Sequence, residues 1–597
     1  MSYNSDPTRT MEFSQSEIII SWDYNDSWFS EIKDDVKRAG ARWNSTYKHW
    51  ILPPASIKAA KKIAEEYDFS VTGLEEAEKR VDAAIQASRA ADADIDIPAP
   101  EGLSYLPYQR AGVAYALGKR DILIGDEMGL GKTIQALGVI NAKPEIERVL
   151  VVCPASLKLN WRREAQKWLV RERPVVVIDG GKKQAEIPSG PAIVIINYEL
   201  LGKHHELGSG WDLAVFDESH YLKNGKAQRT KAALSVQSES RIFLTGTPIL
   251  NRPVELWPIL ESTGVFSNWW RFTDRYCDAE QHRWGRDVSG SSNLDELQTI
   301  LREKIMVRRL KKDVLTDLPA KIRQSIVLDA ESREEKAAIK REIEILRKVK
   351  AAKEALKADR ENPTLRGIYT STLGEIAEAR HQTALAKLPR VAERAKELLE
   401  SGEAKKIIVF GHHLDVIRGL KEELREFFPV SLTGEDSIES RQSAVDTFQG
   451  DKKCKVFIGG IRAAGVGITL TEASTVIFAE LDWTPAAMSQ AEDRAHRIGQ
   501  KDSVLVITPL LDGSIDAKMS EKLAEKQRII EATMDKSEEK QAAQEEISID
   551  FLLEGLEPEK AAKNGRKTVG EVLAVESSKP KTVKREGAEQ ELEPSLT

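Results

Sequence analysis

The chain has 597 residues, of which 41% are hydrophobic and 31% charged, and a formal net charge of −7. That length exceeds one hydrophobic core and predicts three or four structural units, while the long apolar runs, such as Val149–Val152, are only strand-sized, so no segment reads as a membrane-spanning helix. Three scattered cysteines, Cys153, Cys277 and Cys454, form no CxxC pair, which argues against a zinc site or disulfide framework and fits a reducing compartment.

In chain order, the first unit, residues 1–75, opens on a polar stretch without a signal-peptide pattern. It then concentrates four of the twelve tryptophans, Trp22, Trp28, Trp43 and Trp50, and is expected to form a small α+β domain. A helix there ends at Gly40. Arg42-Trp43-Asn44 and Lys48-His49-Trp50 follow on either side of a turn. Basic residues interleaved with aromatics suit stacking on unpaired bases beside a charged backbone, so Arg42, Trp43, Lys48 and Trp50 are candidate DNA contacts. The same tryptophans would equally serve as the core of the domain. The negative net charge by itself disfavours a nucleic-acid binder, but an acidic tail can mask a basic groove.

Residues 76–100, rich in Ala, Asp and Glu, read as a linker closed by Pro98 and Pro100. From 101 to 325, apolar runs at Asp121–Ile124, Val149–Val152, Ala192–Ile196, Leu213–Phe216 and Arg241–Leu244 alternate with helical stretches, predicting a parallel sheet covered on both faces. Residues 326–385 read as a charged helical connector, with Ile339, Ile343 and Leu346 at helical spacing. Alternation resumes over 386–535, at Lys406–Phe410, Lys455–Ile458, Thr475–Phe478 and Ser503–Ile507. A Glu- and Lys-rich tail, 536–597, reads as largely disordered, with the short apolar piece Ile547–Leu553 as a helix end.

The strand Asp121–Ile124 runs into Gly125-Asp126-Glu127-Met128-Gly129-Leu130-Gly131-Lys132-Thr133 and then a helix, the context of a phosphate-binding loop. Gly129 and Gly131 would let backbone N–H groups approach phosphates; Lys132 would reach the β- and γ-phosphates and Thr133 would hold Mg²⁺. Asp126 stands where that motif usually has its first glycine. Downstream, the strand Leu213–Phe216 ends in Asp217-Glu218, predicting a metal-binding carboxylate and a general base for water. Together the two motifs predict a nucleoside triphosphatase.

These stretches resemble motifs I and II of superfamily-two helicases in their Swi/Snf-like branch, and further matches follow in order. Leu106-Pro-Tyr-Gln109-Arg resembles the segment whose Gln contacts adenine; Val152-Cys-Pro-Ala-Ser-Leu with Asn160-Trp161 resembles motif Ia; Ile196-Asn197-Tyr-Glu resembles motif Ib. Leu244-Thr-Gly-Thr-Pro with Asn251 and Glu255 resembles motif III, and Arg308-Arg-Leu-Lys-Lys-Asp-Val-Leu the lobe-joining segment. In the second half Gly411-His412-His413, Ile461-Arg462-Ala-Ala-Gly-Val-Gly and Gln490-Ala-Glu-Asp-Arg494-Ala-His-Arg497 resemble motifs IV, V and VI. The stretch Glu31 to Pro53, with Arg42-Trp43-Asn44 and Lys48-His49-Trp50, resembles the HepA-related-protein domain of annealing helicases.

The resemblance implies two tandem RecA-like parallel-sheet lobes with helical insertions. ATP and Mg²⁺ would be held by Gln109, the loop Asp126, Glu127, Met128, Gly129, Leu130, Gly131, Lys132 and Thr133, and by Asp217 and Gln490. Lys132, Asp217, Glu218, Arg494 and Arg497 would be catalytic, the two arginines sharing one helical face. Asn197 and Arg462 would touch DNA. The implied activity is a DNA-dependent ATPase that translocates on duplex or forked DNA and remodels or re-anneals it. The alternatives are a strand-separating helicase or the motor subunit of a larger DNA-processing assembly. Such a protein would work at the nucleoid in the cytoplasm of a prokaryote or virus-infected cell, or in a eukaryotic nucleus. Because every motor motif lies beyond Leu103, the first 90 or so residues are expected to be dispensable for ATP hydrolysis.

Overall fold

The computed structural model describes residues 9–14, 17–179, 186–246, 252–282, 285–315, 318–359, 362–464, 468–521 and 549–553. Residues 247–251 of motif III, the Gly465–Gly467 part of motif V and almost all of the tail lie outside the described residues. The chain divides into two compact units: residues 1–331 with 384–548, and residues 332–383 with 549–597.

In the first unit the chain begins with β1 (Thr10–Ser14), β2 (Glu17–Ser21), α1 (Phe29–Arg38), β3 (Arg42–Asn44), β4 (His49–Leu52), α2 (Ile57–Glu66), β5 (Ser70–Thr72) and α3 (Leu74–Arg89). The strands make one mixed sheet in the order β3-β4-β2-β1-β5. Met11, Ile18, Ile20 and Leu52 pack on Ile32 and Val36 of α1 and on Ala60 and Ile63 of α2, the small α+β core expected. The supposed linker is a correction: residues 76–89 belong to α3, because Leu74, Ala77 and Val81 recur at helical spacing and are buried, and Ala- and Glu-rich sequence forms helix readily.

The next sheet contains β6 (Asp121–Ile124), β7 (Arg148–Cys153), β8 (Val175–Val177), β9 (Ala192–Asn197), β10 (Trp211–Phe216) and β11 (Ser238–Leu244), with helices α4 (Pro107–Leu117), α5 (Lys132–Ala142) and α6 (Lys158–Trp168) among the connections. An exposed hairpin, β12 (Glu280–His282) and β13 (Gly285–Asp287), precedes the last strand, β14 (Met306–Val307). All pairings within the sheet β14-β6-β11-β10-β7-β9-β8 are parallel. Continuous apolar runs such as Ile193–Ile196 are buried on both faces, as a helix-covered parallel sheet requires.

The second parallel sheet has the order β15-β20-β19-β16-β18-β17, from β15 (Lys321–Leu328), β16 (Ile407–Gly411), β17 (Val430–Leu432), β18 (Val456–Gly460), β19 (Thr475–Phe478) and β20 (Val504–Leu511). This corrects the boundary read at 325. β15 pairs along its whole length with β20, Lys321 opposite Val504 through Leu328 opposite Leu511, so it opens the second lobe. The helix Pro363–Glu400 likewise runs straight through the boundary read at 385.

In the other unit, the helix Arg333–Ala358 begins with a capping box of Ser332 and Glu335. The buried Glu342 accepts a hydrogen bond from Thr383 Oγ1 at 2.6 Å, and Ile549–Leu553, helical as expected, packs on the same helix. No helix among the described residues is long and apolar enough to cross a membrane.

Candidate nucleotide site

Parallel sheets gather loops at the carboxyl ends of their strands, and in the first lobe β6 delivers the phosphate loop, β10 the carboxylate pair and β11 Thr245-Gly246 to one edge. Gly129 and Gly131 adopt φ of 85° and 74°, conformations that disfavour any residue with a Cβ. Gly131 is also too close to its neighbours for a side chain: a Cβ there would lie 2.6 Å from Gln109 Nε2. Lys132 starts α5 and bends back to the loop, its Nζ donating to the carbonyls of Asp126 at 3.0 Å and Glu127 at 3.4 Å. Burial pushes the Lys132 ammonium below its ordinary pKa, and the Glu218, Asp126 and Asp217 carboxylates oppose that shift. Thr133 lies in the same first turn, half-buried.

The Asp126 side chain is engaged by protein partners. Its carboxylate is fully buried and takes a bidentate ion pair from Arg309, with further hydrogen bonds from the Arg309 N–H and from Gln135 Nε2. Only its backbone carbonyl faces Lys132. Glu127 behaves similarly, its N–H donating to Arg309 O at 3.0 Å. Met128 packs where a Cβ at Gly246 would collide with it, and Leu130 is buried. The Leu130 carbonyl accepts from both Tyr108 and Gln109. Gln109 Oε1 meanwhile caps α4 through the Leu106 N–H. Each end of the Gln109 amide thus makes one bond within the lobe, and one Nε2 proton and one Oε1 lone pair remain for a further partner.

Asp217 is held by a group that motif reading had left without a role: Trp161 Nε1 donates to its Oδ2 at 2.7 Å, while Tyr198 donates to its backbone carbonyl. Burial and the neighbouring Glu218 charge raise the Asp217 pKa to about 6. Burial also pushes Glu218 upward, but His220, Lys132 and Arg494 outweigh it and leave that carboxyl below its ordinary value. Glu218 adopts φ +50°, a strained conformation for a residue with a side chain. His220 Nδ1 lies 3.2 Å from Glu218 Oε2 but out of line, so this buried oxygen has no aligned donor. The Thr133 hydroxyl, the Asp217 carboxylate and the unsatisfied Glu218 Oε2 are all oxygen donors, the chemistry that suits Mg²⁺ and its water shell.

The second lobe presents Arg494 and Arg497, but not on a helix as expected. The helix Pro485–Glu492 ends first, and both arginines stand on the turns after it. They nevertheless converge, each donating to the Ile468 carbonyl, at 3.3 and 3.2 Å. Gln490 contributes its carbonyl to Arg494 Nε. A buried network fixes the turn: Glu492 pairs with Lys321 and Arg323 of β15, and Asp493 with Lys321 and Lys311. The turn approaches the phosphate loop closely, since a Cβ at Gly129 would lie 3.3 Å from Arg497 Cβ.

The expected DNA contacts separate. Trp43 is half-exposed and packs on Trp50 at 5.5 Å. Trp50 stacks on Trp22 and joins the domain core. Lys48 is exposed in a turn at φ +53°, and Arg42 pairs with Glu17 at the surface. Tyr24, Trp28 and Tyr47 are also exposed, aromatics that the motif match did not single out. Asn197 is buried, its amide bonded to Glu199. Arg462 is largely exposed while bound to Asp482.

The end of α3 reaches this machinery. Ser88 Oγ donates to Met306 O and accepts from Arg302, the Arg308 N–H donates to Ser88 O, and Arg309 donates to Ala90 O. The end of α3 is thus joined to the strand beside the phosphate loop.

Comparison with known families agrees with this geometry. Residues 108–383 match the SNF2-related domain, and residues 390–499 match the helicase conserved C-terminal domain. The chain is 37% identical over 446 residues to the SWI/SNF-related matrix-associated actin-dependent regulator of chromatin subfamily A-like protein 1 of Xenopus tropicalis, covering 72% of this chain and 45% of that protein. It is 36% identical over 465 residues to the DNA annealing helicase and endonuclease ZRANB3 of Bos taurus, covering 74% of this chain and 41% of that one. The chain therefore spans less than half the length of these curated relatives. A solved structure, the Sulfolobus solfataricus SWI2/SNF2 ATPase core in complex with dsDNA, matches at 26% identity and TM-score 0.36, covering 76% of this chain and 100% of that one. With its SNF2-related domain and helicase C-terminal domain in tandem, the chain belongs to the SNF2 family of ATP hydrolases.

Proposed function

We propose that this ATPase translocates on duplex or forked DNA and remodels or re-anneals it, the two lobes closing around ATP and parting after hydrolysis. The observation that supports this most directly is the approach of the turn bearing Arg494 and Arg497 to the phosphate loop at Gly129. Lys132 leaves the loop carbonyls for the β- and γ-phosphates. Thr133 and Asp217 would hold Mg²⁺, which when bound neutralises phosphate charge. Glu218, ionised at neutral pH, orients water and takes its proton. Arg494 and Arg497 exchange the Ile468 carbonyl for the transferred phosphoryl group, where charge develops. Nucleotide state thus biases lobe closure, and a grip on DNA by each lobe turns that cycle into movement.

Exposed Trp43, Tyr47, Trp28 and Lys48 support a surface for unpaired bases, and the name of the bovine relative, an annealing helicase, agrees with re-annealing. The test measures ATPase rate with single-stranded, duplex, forked and RNA ligands, next to triplex displacement and duplex opening. Stimulation by duplex or fork with triplex displacement supports the proposal. Efficient opening of plain duplex replaces it with strand separation.

A further inference from the structure

The segment joining the two sheets contributes one lysine that touches both halves of the ATP site. The Lys311 N–H donates to Glu127 Oε2 at 2.7 Å, and a Cβ at Gly129 would meet Lys311 Cε at 3.1 Å. The same side chain reaches the second lobe. Its Nζ pairs with Asp493 Oδ1 at 2.9 Å and donates to His496 O at 2.9 Å. Asp493 and His496 flank Arg494, and His496 precedes Arg497. One buried side chain therefore has the phosphate loop at its base and the arginine turn at its tip.

The turn does not need Lys311 for its own shape. Asp493 keeps Lys321 at 3.2 Å, and Glu492 keeps Lys321 and Arg323, all within the second lobe. What Lys311 adds is the tie to the first lobe. A buried ammonium requires its acceptors, so parting the lobes strands this one and closing them satisfies it.

We propose that Lys311 is a positioning residue for hydrolysis, docking the turn of Arg494 and Arg497 against the phosphate loop in the closed state. This rests on the reading of those arginines as the groups that act on the transferred phosphoryl. Lys311 accordingly governs turnover and leaves nucleotide affinity nearly untouched.

The test compares fluorescent-ATP affinity and kcat, with the most stimulating nucleic acid present, for wild type, Lys311→Met, Lys311→Arg, Asp493→Asn and the Lys311→Met/Asp493→Asn double variant, with Arg497→Ala as reference. Lys311→Met is expected to lower kcat about tenfold or more, as small displacements of catalytic groups do, with affinity within about twofold of wild type. Lys311→Arg should recover most of the rate, and the double variant should fall no further than the worse single one. Should Lys311→Met fold poorly in a thermal melt, Lys311→Gln, which removes the charge and leaves the Asp493–Lys321 pair in place, carries the same decision. Equal losses in affinity and kcat, or an Arg variant no better than Met, overturn the inference. A wild-type rate in Lys311→Met beside an impaired Arg497→Ala overturns it alone. A wild-type rate in Arg497→Ala overturns the arginine reading beneath it.

Discussion

Arg309 and Asp126, 183 positions apart in the chain, meet as a buried bidentate ion pair directly beneath the phosphate loop. Tyr108 O, Gln135 Oε1 and Ala90 O take the remaining guanidinium donors, so each charge is satisfied by the other, by the Gln135 amide and by backbone groups. The loop position where the motif usually has its first glycine thus holds the lobe-joining segment.

Removing one partner leaves the other charged and unpaired. Asp126→Ala should destabilise the first lobe by about 3–5 kcal/mol, whereas Asp126→Ala with Arg309→Met should regain much of that loss. Denaturant unfolding of both variants measures it. A single variant as stable as wild type would show that the pair contributes nothing.

Lys132→Ala and Glu218→Gln should fail differently. The first removes the cation on the phosphates and should weaken ATP binding and turnover together. The second keeps the shape of the site but cannot accept a proton, so it should bind ATP and hydrolyse it about 10²-fold or more slowly. Nucleotide titration beside steady-state ATPase separates the two, and a Glu218→Gln variant unable to bind ATP contradicts the role given to Glu218.

Glu480 gives a pH signature in the second lobe. Its carboxylate accepts from the His412 and His413 N–H groups and from His413 Nδ1. Burial pushes its pKa up, but these bonds prevail and hold it below the ordinary value. A carboxyl depressed on folding stabilises fully above its unfolded pKa, near 4.3, and loses that contribution as pH falls through the folded value. Glu480→Gln should therefore cost roughly 1–3 kcal/mol at neutral pH, and the gap to wild type should narrow below about pH 4. Unfolding curves taken from pH 7 to pH 3 decide this; a gap that stays constant means the charge is irrelevant.

The aromatic domain should matter twice. A truncation that starts at Ala91 removes the Ser88 contacts with Met306, Arg302 and Arg308, and should lower ATPase even without DNA. Trp43→Ala in the full chain should weaken forked DNA more than plain duplex, by about 1–3 kcal/mol if one base stacks there. Undiminished ATPase from the truncated chain would make the domain a mere appendage; equal losses on both DNAs would rule out base stacking.

The sheets were legible because strands buried on both faces are written as unbroken apolar runs, as in Ile193–Ile196 or Ile407–Phe410. The phosphate loop was legible because its glycines and Lys132 are contiguous. Lys321–Leu328 was misplaced because an exposed edge strand carries Arg323, Gln324 and Ser325 among its apolar residues, and nothing local names β20 as its neighbour. The hold of Trp161 on Asp217 and of Arg309 on Asp126 depends on chain segments that meet only after folding, so spacing could not reveal either. Arg494 and Arg497 looked helical at i, i+3, yet the buried pairing of Glu492 and Asp493 with β15 accompanies the end of the helix before them.

The ladder between β15 and β20 also orders the birth of the molecule. The first sheet is complete once Val307 has been made, whereas Lys321–Leu328 must wait for Val504–Leu511 before it has a partner. A closure over so long a separation is slow, so on the ribosome the first lobe can mature while the second still lacks its rim. A fragment beginning at residue 386 could never acquire that rim. It would emerge with the flank of β20 uncovered, an open row of backbone donors and acceptors inviting another chain to add itself.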